Sequence, residues 1–276
     1  MQHRSDENSI NGKVLSIAGS DPSGGAGIQA DIKAISAMGA YAMAAITSLT
    51  VQNTLGVTRA VPVEAELVRD QVLACLGDIG ADAIKSGMLF DEKIISVVTD
   101  VLKTAGRGIP YVLDPVMVST SGHALLEPQA QKALIEHLVP LATLITPNIP
   151  EARALTGMAA IGTVEQMQDA AEKILGLGAG AVLLKGGHGS GDTLIDLLVT
   201  ANDMVRFDSQ RIDTPHTHGT GCTLASAIAA GLAQNMPLEA AVSRARDYVH
   251  QAILRAPGFG GGHGPLNHLV SPNVKG

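Results

Sequence analysis

With 276 residues, of which 46% are hydrophobic and 16% charged, the chain is globular in make-up and long enough to bury a substantial core; a disordered or fibrous protein is excluded. A net charge of −7 and 2% aromatic residues supply neither a general attraction for nucleic acid nor a surface on which bases could stack. The two cysteines, Cys75 and Cys222, make no disulfide framework and no CxxC metal pair, which suits reduced thiols in a cytoplasmic protein.

No apolar stretch reaches spanning length without turn residues, so no membrane partner is expected, and Met1 to Asn11 is polar, unlike a signal sequence. Residues 1–11 are expected to form a flexible tail. Lys13 to Ala18 is short, β-rich and followed by glycine, as a buried strand would be. Gly19-Ser-Asp-Pro-Ser-Gly-Gly-Ala-Gly27 then opens a helix with apolar positions Ile28, Ile32, Ile35 and Met38, Asp31 in its first turns and Gly39 as its stop. Within this turn, Gly25 to Ala30 fits the G-x-G-x-x-A dinucleotide pattern. Its glycines lie well past the strand end, however, and the next strand closes on Gln52-Asn53 where a ribose-binding acid would stand, so a dinucleotide site is the minor alternative.

Tyr41 to Val51 reads as a second strand and Gly56 to Val63 as a short β-rich flap. Helical spacing follows at Glu64 to Leu76, Asp91 to Thr104, Glu127 to Leu138, after Pro150, and at Thr163 to Leu175. Between these lie short strands at Ala83 to Lys85, Tyr111 to Leu113, Leu144 to Thr146 and Ala181 to Leu184. Such alternation predicts an α/β fold with a mostly parallel sheet covered by helices on both faces. Thr193 to Val199 and Met204 to Arg211 read as an antiparallel addition at one edge, and helices at Gly221 to Gln234 and Leu238 to Arg255 close the fold. Gly258 to Gly264 is expected to be a loop, mobile over a site. With no linker to divide it, the chain is expected to be one domain over residues 12–270 with a tail at 271–276.

The chemistry concentrates at Thr217-His-Gly-Thr-Gly-Cys-Thr223. Glycines 219 and 221 free backbone N–H groups to face a ligand, and the positive end of the following helix favours an anion there. Cys222 at the helix start is placed where a thiol loses its proton most easily and can accept one from a hydroxyl. Taken alone, the stretch is equally a tight turn followed by a small buried cysteine. In open parallel sheets, ligands sit beyond the carboxyl ends of the strands, and Asp114, Asn148, Glu151 and Lys185 all fall there. Three of them have a plainer reading: a strand-end cap for Asp114, a first-turn helix acid for Glu151, a solvated strand-end residue for Lys185. Met88 is equally a core residue. His188, His216 and His218 lack carboxylate or cysteine partners at ligand spacing and read as loop residues, not a zinc site.

Gly19-Ser-Asp-Pro-Ser-Gly-Gly-Ala-Gly-Ile-Gln-Ala-Asp31, Ser86-Gly-Met88, Leu113-Asp-Pro-Val-Met117, Ile145-Thr-Pro-Asn-Ile-Pro-Glu151, Lys185-Gly-Gly-His188 and His218-Gly-Thr-Gly-Cys-Thr223 together resemble the hydroxymethylpyrimidine/phosphomethylpyrimidine kinases of thiamine biosynthesis, members of the ribokinase-like superfamily. The resemblance runs from about residue 13 to Pro265. It implies a three-layer α/β/α sandwich with antiparallel edge strands and a small flap. It also implies ATP and Mg2+, and two successive phosphorylations of 4-amino-5-hydroxymethyl-2-methylpyrimidine, first to the monophosphate and then to the diphosphate. A homodimer is expected because superfamily members are often dimers.

By the same resemblance, Gly219, Thr220 and Gly221 form an anion hole, and Cys222 is the catalytic base, a position held by aspartate in the related sugar kinases. Lys185, Asn148 and Asp114 fall on the ATP side. Glu151 completes the N-x-x-E signature with Asn148 and holds Mg2+, directly or through water. Gln52 matches the residue that contacts the pyrimidine, and Asp31, Met88, Gly19 and Val116 are expected to line the same pocket. The nearest rival is a pyridoxal-type vitamin kinase on this scaffold; a more distant one is a non-catalytic nucleotide-binding protein.

Overall fold

The computed structural model describes residues 10–117, 126–186 and 193–271. Most of both expected tails, and Gly187 and His188 of the Lys185 motif, lie outside the described residues. The chain runs through β1 (Lys13–Ser20), α1 (Gly27–Ala37), β2 (Tyr41–Asn53), β3 (Gly56–Pro62), α2 (Ala65–Asp78), β4 (Ala83–Ser86), α3 (Glu92–Lys103), β5 (Tyr111–Leu113) and α4 (Pro128–Ala133). It continues through β6 (Leu144–Ile145), α5 (Ile149–Thr156), α6 (Val164–Gly176), β7 (Ala181–Lys185), β8 (Thr193–Thr200), β9 (Met204–Gln210), α7 (Thr220–Ala233) and α8 (Leu238–Leu254).

Among the described residues, nine strands make one sheet in the order β3-β2-β1-β4-β5-β6-β7-β8-β9. The run from β2 to β7 is parallel, β3 pairs antiparallel with β2, and β8 and β9 add antiparallel at the opposite edge. Side chains of the central strands alternate between two cores. Leu15, Ile17, Ile84, Leu113, Ile145 and Val182 face the layer of α2 to α6. Val14, Ala83, Val112, Leu144 and Leu183 face α1, α7 and α8. The α/β architecture expected from the sequence, with its antiparallel edges and flap, is thus borne out.

Helix α7 sits close on the sheet because nearly all its residues are small or apolar, and its Gly231 gives way to Ala241 of α8, only 2.7 Å from where a Cβ would stand. Helix α1 departs from its expected apolar stripe. Ile32 is 39% exposed, and Asp31 takes the inward position between Ile28 and Ile35. The helix expected to run to Leu138 changes form after Ala133, widening into a π-helical turn over Leu134–Leu138 and tightening to a 3₁₀ turn at Val139–Leu141. Pro140 has no N–H to give to the preceding turn, so a regular α-helix cannot continue through it. None of the described helices is long and apolar enough to cross a membrane.

The glycine-rich loop over 258–264 departs from expectation too. It is tied down rather than free: His263 N donates to the Thr54 carbonyl at 2.8 Å and His218 N to the Gly264 carbonyl at 3.2 Å. Gly260 and Gly262 lie so close to Thr54 that side chains there would collide with it. The loop thereby joins the β2–β3 hairpin tip to the Thr217–Thr223 turn.

Candidate active site

The strand order reverses between β1 and β4, which opens a crevice at their carboxyl ends. Gly19 is the penultimate residue of β1 there. A Cβ on it would stand 2.6 Å from Ser48 Oγ and 3.3 Å from the sulfur of Met88, so these residues share one wall. Thr47 Oγ1 fixes the Met88 backbone by donating to its carbonyl at 2.6 Å.

Across the crevice stands the N-terminus of α7. Gly219 has φ +81, and a side chain there would run into the Gly25 carbonyl oxygen, so only glycine allows the turn to pack this tightly. Gly25 and Gly27 are needed for similar packing, against the His218 ring and the Gly19 carbonyl, which accounts for the G-x-G-x-x-A spacing without a dinucleotide. Thr220 Oγ1 donates to the Thr217 carbonyl at 2.7 Å. A Cβ on Gly221 would stand 3.3 Å from Lys185 Nζ and 3.6 Å from Asp114 Oδ2. The structure therefore brings Gly221, Lys185 and Asp114 around one small space at a helix N-terminus, a place suited to an anion. Lys185 Nζ lies 3.4 Å from Asp114 Oδ1, which also accepts from Thr146 Oγ1 at 3.1 Å. Burial would favour a neutral Lys185, but Asp114 and Glu151 outweigh it and hold its pKa above the ordinary lysine value. Val116 follows on the same loop, its N–H donating to the Asp114 carbonyl at 2.8 Å.

Asn148 and Glu151 form a capping box on α5: Glu151 N donates to Asn148 Oδ1 at 2.9 Å, and Asn148 N to Glu151 Oε2 at 2.8 Å. The carboxamide oxygen of Asn148, expected on the ATP side, is thus engaged in the helix cap. The buried Glu151 carboxyl still feels the charges of Lys185 and Asp114. Burial raises its pKa, Lys185 pulls it down and Asp114 pushes it up again. Among the described residues no three His, Cys, Asp or Glu side chains gather as a metal cage. The pair of hard carboxylates Asp114 and Glu151 nevertheless fits Mg2+, which needs only one or two protein carboxylates besides phosphates and water.

Cys222 does not have the easily lost proton expected from its place at the helix start. Burial pushes its thiol up to about 12; Lys85 pulls down, Asp31 and Asp114 push up, and an N–H from Gly27 pulls down again. In the ligand-free protein it is a neutral thiol. The Lys85 and Asp31 side chains lie between the sheet and α1 and α7. Asp31 has no exposed surface and accepts from Ser16 Oγ at 2.6 Å, from Ser226 Oγ at 2.7 Å, and from Lys85 Nζ at 2.9 Å on both oxygens. With its acceptors spent on protein donors, Asp31 supports the floor beneath α7; the expectation that it lines the substrate pocket is corrected. Sequence reasoning missed Lys85. The available signal was a lysine inside the short, fully buried strand β4, which burial obliges to find a carboxylate.

Gln52 is half-buried beside His218, its carboxamide nitrogen 3.1 Å from His218 Nε2, which is itself 2.8 Å from Asp21 Oδ2. His218, read from sequence as a loop residue, is buried at 6% exposure in this cluster. Its proximity to Asp21 joins two motifs that stand 197 residues apart, a pairing that no local pattern reveals.

Fold and crevice together define a ribokinase-like protein whose crevice is bounded by the N-terminus of α7. The sequence matches the model of the phosphomethylpyrimidine kinase family over residues 21–267. A hydroxymethylpyrimidine/phosphomethylpyrimidine kinase from Rhizobium meliloti is 49% identical over 258 residues, covering 93% of this chain and 96% of that one. A thiamine biosynthesis bifunctional protein from Geobacter sulfurreducens is 47% identical over 94% of this chain and 53% of its own. The crystal structure of an ADP complex of Bacillus subtilis pyridoxal kinase superposes with a TM-score of 0.86 at 37% identity, covering 94% of this chain and 97% of that chain. The chain belongs to the phosphomethylpyrimidine kinase family.

Proposed function

We propose that this protein, with residues 12–270 acting as one kinase domain, transfers the terminal phosphoryl group of ATP to 4-amino-5-hydroxymethyl-2-methylpyrimidine and then to the resulting monophosphate, for thiamine biosynthesis. The observation that carries this reading is the space between Gly221, Lys185 and Asp114 at the α7 N-terminus. Backbone N–H groups of Gly219, Thr220 and Gly221 meet the charge on the moving phosphoryl group, where fixed dipoles act most strongly. Lys185 holds the nucleotide phosphates. Asp114 and Glu151 are the oxygens that would hold Mg2+, which when bound neutralises phosphate charge. Asn148 contributes by fixing Glu151 through the capping box.

In each step the acceptor oxygen bonds to phosphorus, the bond to the bridging oxygen of ADP breaks, and ADP leaves. In the first, the proton of the hydroxymethyl group passes to Cys222. Because burial keeps that thiol protonated in the ligand-free protein, it first gives its own proton to solvent as the site is loaded, the thiolate being favoured by Lys85, the Gly27 N–H and the α7 dipole. Gln52 reads the ring, with Gly19, Met88 and Val116 around it. Leu49, Val51 and Val61 on the edge hairpin are exposed, and a second copy covers them in a homodimer. The free Cys75 and Cys222 suit the cytoplasm.

The pyridoxal kinase likeness supports a second reading, so one assay separates them. ADP release is followed with ATP and magnesium and, separately, the pyrimidine, its monophosphate or pyridoxal. Turnover of both pyrimidines is expected; turnover of pyridoxal alone reassigns the substrate, and no turnover with any of the three overturns the kinase reading.

A further inference from the structure

Three side chains at the substrate end of the crevice cannot all keep the hydrogen-bonding roles their placement gives them. Asp21 is a buried carboxylate that accepts from Ser23 N at 2.9 Å, Ser23 Oγ at 2.7 Å and Ala26 N at 2.8 Å, as well as facing His218 Nε2 at 2.8 Å. An ionised carboxylate has only acceptors to offer, so His218 carries a hydrogen on Nε2, whether its ring is neutral or charged. That nitrogen then has no lone pair for the Gln52 amide nitrogen 3.1 Å away, and two donors face each other. The other end of the amide meets the same difficulty. Thr50 Oγ1 has one hydrogen and gives it to the Ser20 carbonyl at 2.7 Å, leaving none for the Gln52 oxygen at 3.3 Å. A half-turn of the carboxamide exchanges its oxygen and nitrogen in place: the nitrogen then donates to Thr50 Oγ1, and the oxygen becomes the second, longer acceptor of the one Nε2 hydrogen that His218 shares with Asp21.

We infer that Asp21 and His218 are a positioning pair that locks the Gln52 carboxamide with its oxygen toward His218 and its nitrogen toward Thr50, and that this order selects the aminopyrimidine and aims its hydroxymethyl group at Cys222. The inference rests on Gln52 as the residue that reads the ring. So locked, Gln52 keeps one oxygen lone pair on the His218 side and one N–H on the Thr50 side for the ligand. In 4-amino-5-hydroxymethyl-2-methylpyrimidine the amino group lies between a ring nitrogen and the hydroxymethyl carbon. Pairing its amine with the Gln52 oxygen and its ring nitrogen with the Gln52 N–H places the hydroxymethyl group beyond the amine, toward the His218–Cys222 stretch. A reversed amide would turn the ring over and carry the reacting hydroxyl away. Pyridoxal has a carbonyl oxygen beside its hydroxymethyl group; it offers the Gln52 oxygen an acceptor in place of a donor and is rejected.

Nitrogen NMR of histidine-labelled, ligand-free protein reads the first half directly. A hydrogen on His218 Nε2 is expected, and a bare Nε2 with the hydrogen on Nδ1 alone overturns the inference even if every variant were to misfold. The second half is read in turnover by Asp21→Asn and, because Asp21 also braces its own turn, by His218→Phe. Both are expected to raise the KM for the pyrimidine roughly tenfold or more, the scale for a mispaired polar contact, with a smaller effect on kcat and none on the KM for ATP. The preference for pyrimidine over pyridoxal falls with them. Equal rises in both KM values, or an unaltered preference, overturn the positioning role. Gln52→Ala with an unchanged pyrimidine KM overturns the underlying reading of Gln52, and the selectivity argument with it. A normal loss in Gln52→Ala beside an unaltered preference in Asp21→Asn and His218→Phe removes the positioning role alone.

Discussion

Lys85 Nζ lies 2.9 Å from each carboxylate oxygen of Asp31, and neither side chain has any exposed surface. Two charges were taken out of water to make this pair, a cost that their attraction repays only when the remaining donors and acceptors are satisfied. Ser16 and Ser226 supply that satisfaction on the Asp31 side. Ser226 lies one turn along α7 from Cys222, so the pair braces the helix that carries the thiol.

Removing one partner leaves the other charged and buried. Lys85→Met is therefore expected to destabilise the fold by about 3–5 kcal/mol, and Lys85→Met combined with Asp31→Asn to regain most of that loss. Urea unfolding midpoints of the three proteins decide it. A double variant no more stable than the single one would show that charge isolation is not the cause.

The Cys222 thiol should resist alkylation. Its pKa is pushed up to about 12, chiefly by burial, so in a Cys75→Ser background its reaction with iodoacetamide is expected to climb about tenfold per pH unit from pH 7 to 10 with no plateau. A plateau below pH 8 would mean a thiolate already formed. The raised pKa also sets a sign for stability: folding holds the proton more tightly than the unfolded chain does, so this contribution is complete below the ordinary thiol range near 9 and is lost as pH rises toward 12. Cys222→Ala is expected to lower kcat by about 10²-fold or more with little change in the KM for ATP, since the backbone cradle remains.

Much of this architecture was legible because parallel strands buried on both faces appear as short apolar runs and their helices as 3.6-residue stripes. Of the candidate site, what stood out in the sequence was glycine beside a polar group at the end of an element, as at Lys185-Gly186 where β7 closes and at Gly219–Cys222 where α7 opens. What stayed hidden depends on burial and distant pairing. Asp31 looked like a pocket residue because its neutralising lysine is 54 positions away, and Cys222 looked acidic because helix position is visible in a sequence while desolvation is not. His218 looked idle because Asp21 and Gln52 reach it only after three loops converge.

His268 supplies a test at the acid end. It is buried, its Nε2 lies 2.9 Å from Thr223 Oγ1, and burial, with a smaller contribution from Lys33, pushes its pKa down to about 4. The unfolded chain takes up this proton near the ordinary histidine value of about 6.5; the folded protein does so only near 4. Stability from this residue is complete above about 6.5 and is lost as pH falls toward 4, with a full span of about 3 kcal/mol. His268→Asn should flatten the fall in the urea midpoint between pH 7 and pH 4.5. An equally steep fall in the variant would assign it to other groups.

Gly219 and Gly221 stand two residues apart in one turn yet are expected to fail in different ways. At Gly219 a methyl group meets the Gly25 carbonyl and the backbone is at φ +81, so Gly219→Ala must both strain the turn and push two loops apart, a cost of about 1–3 kcal/mol from the backbone before the collision is counted. Gly221 has no such constraint. Its added methyl meets the end of the flexible Lys185 side chain at 3.3 Å and the Asp114 carboxylate at 3.6 Å, and it fills the space where the phosphoryl group is proposed to sit. Gly219→Ala should therefore lower the melting temperature, whereas Gly221→Ala should melt close to the parent and lose kcat/KM for ATP by about 10²-fold. Calorimetry beside steady-state kinetics separates the two. A Gly221→Ala protein that keeps normal kcat/KM would move the transferred phosphoryl group out of the Gly221–Lys185–Asp114 space and leave that cluster a structural brace between α7 and the sheet.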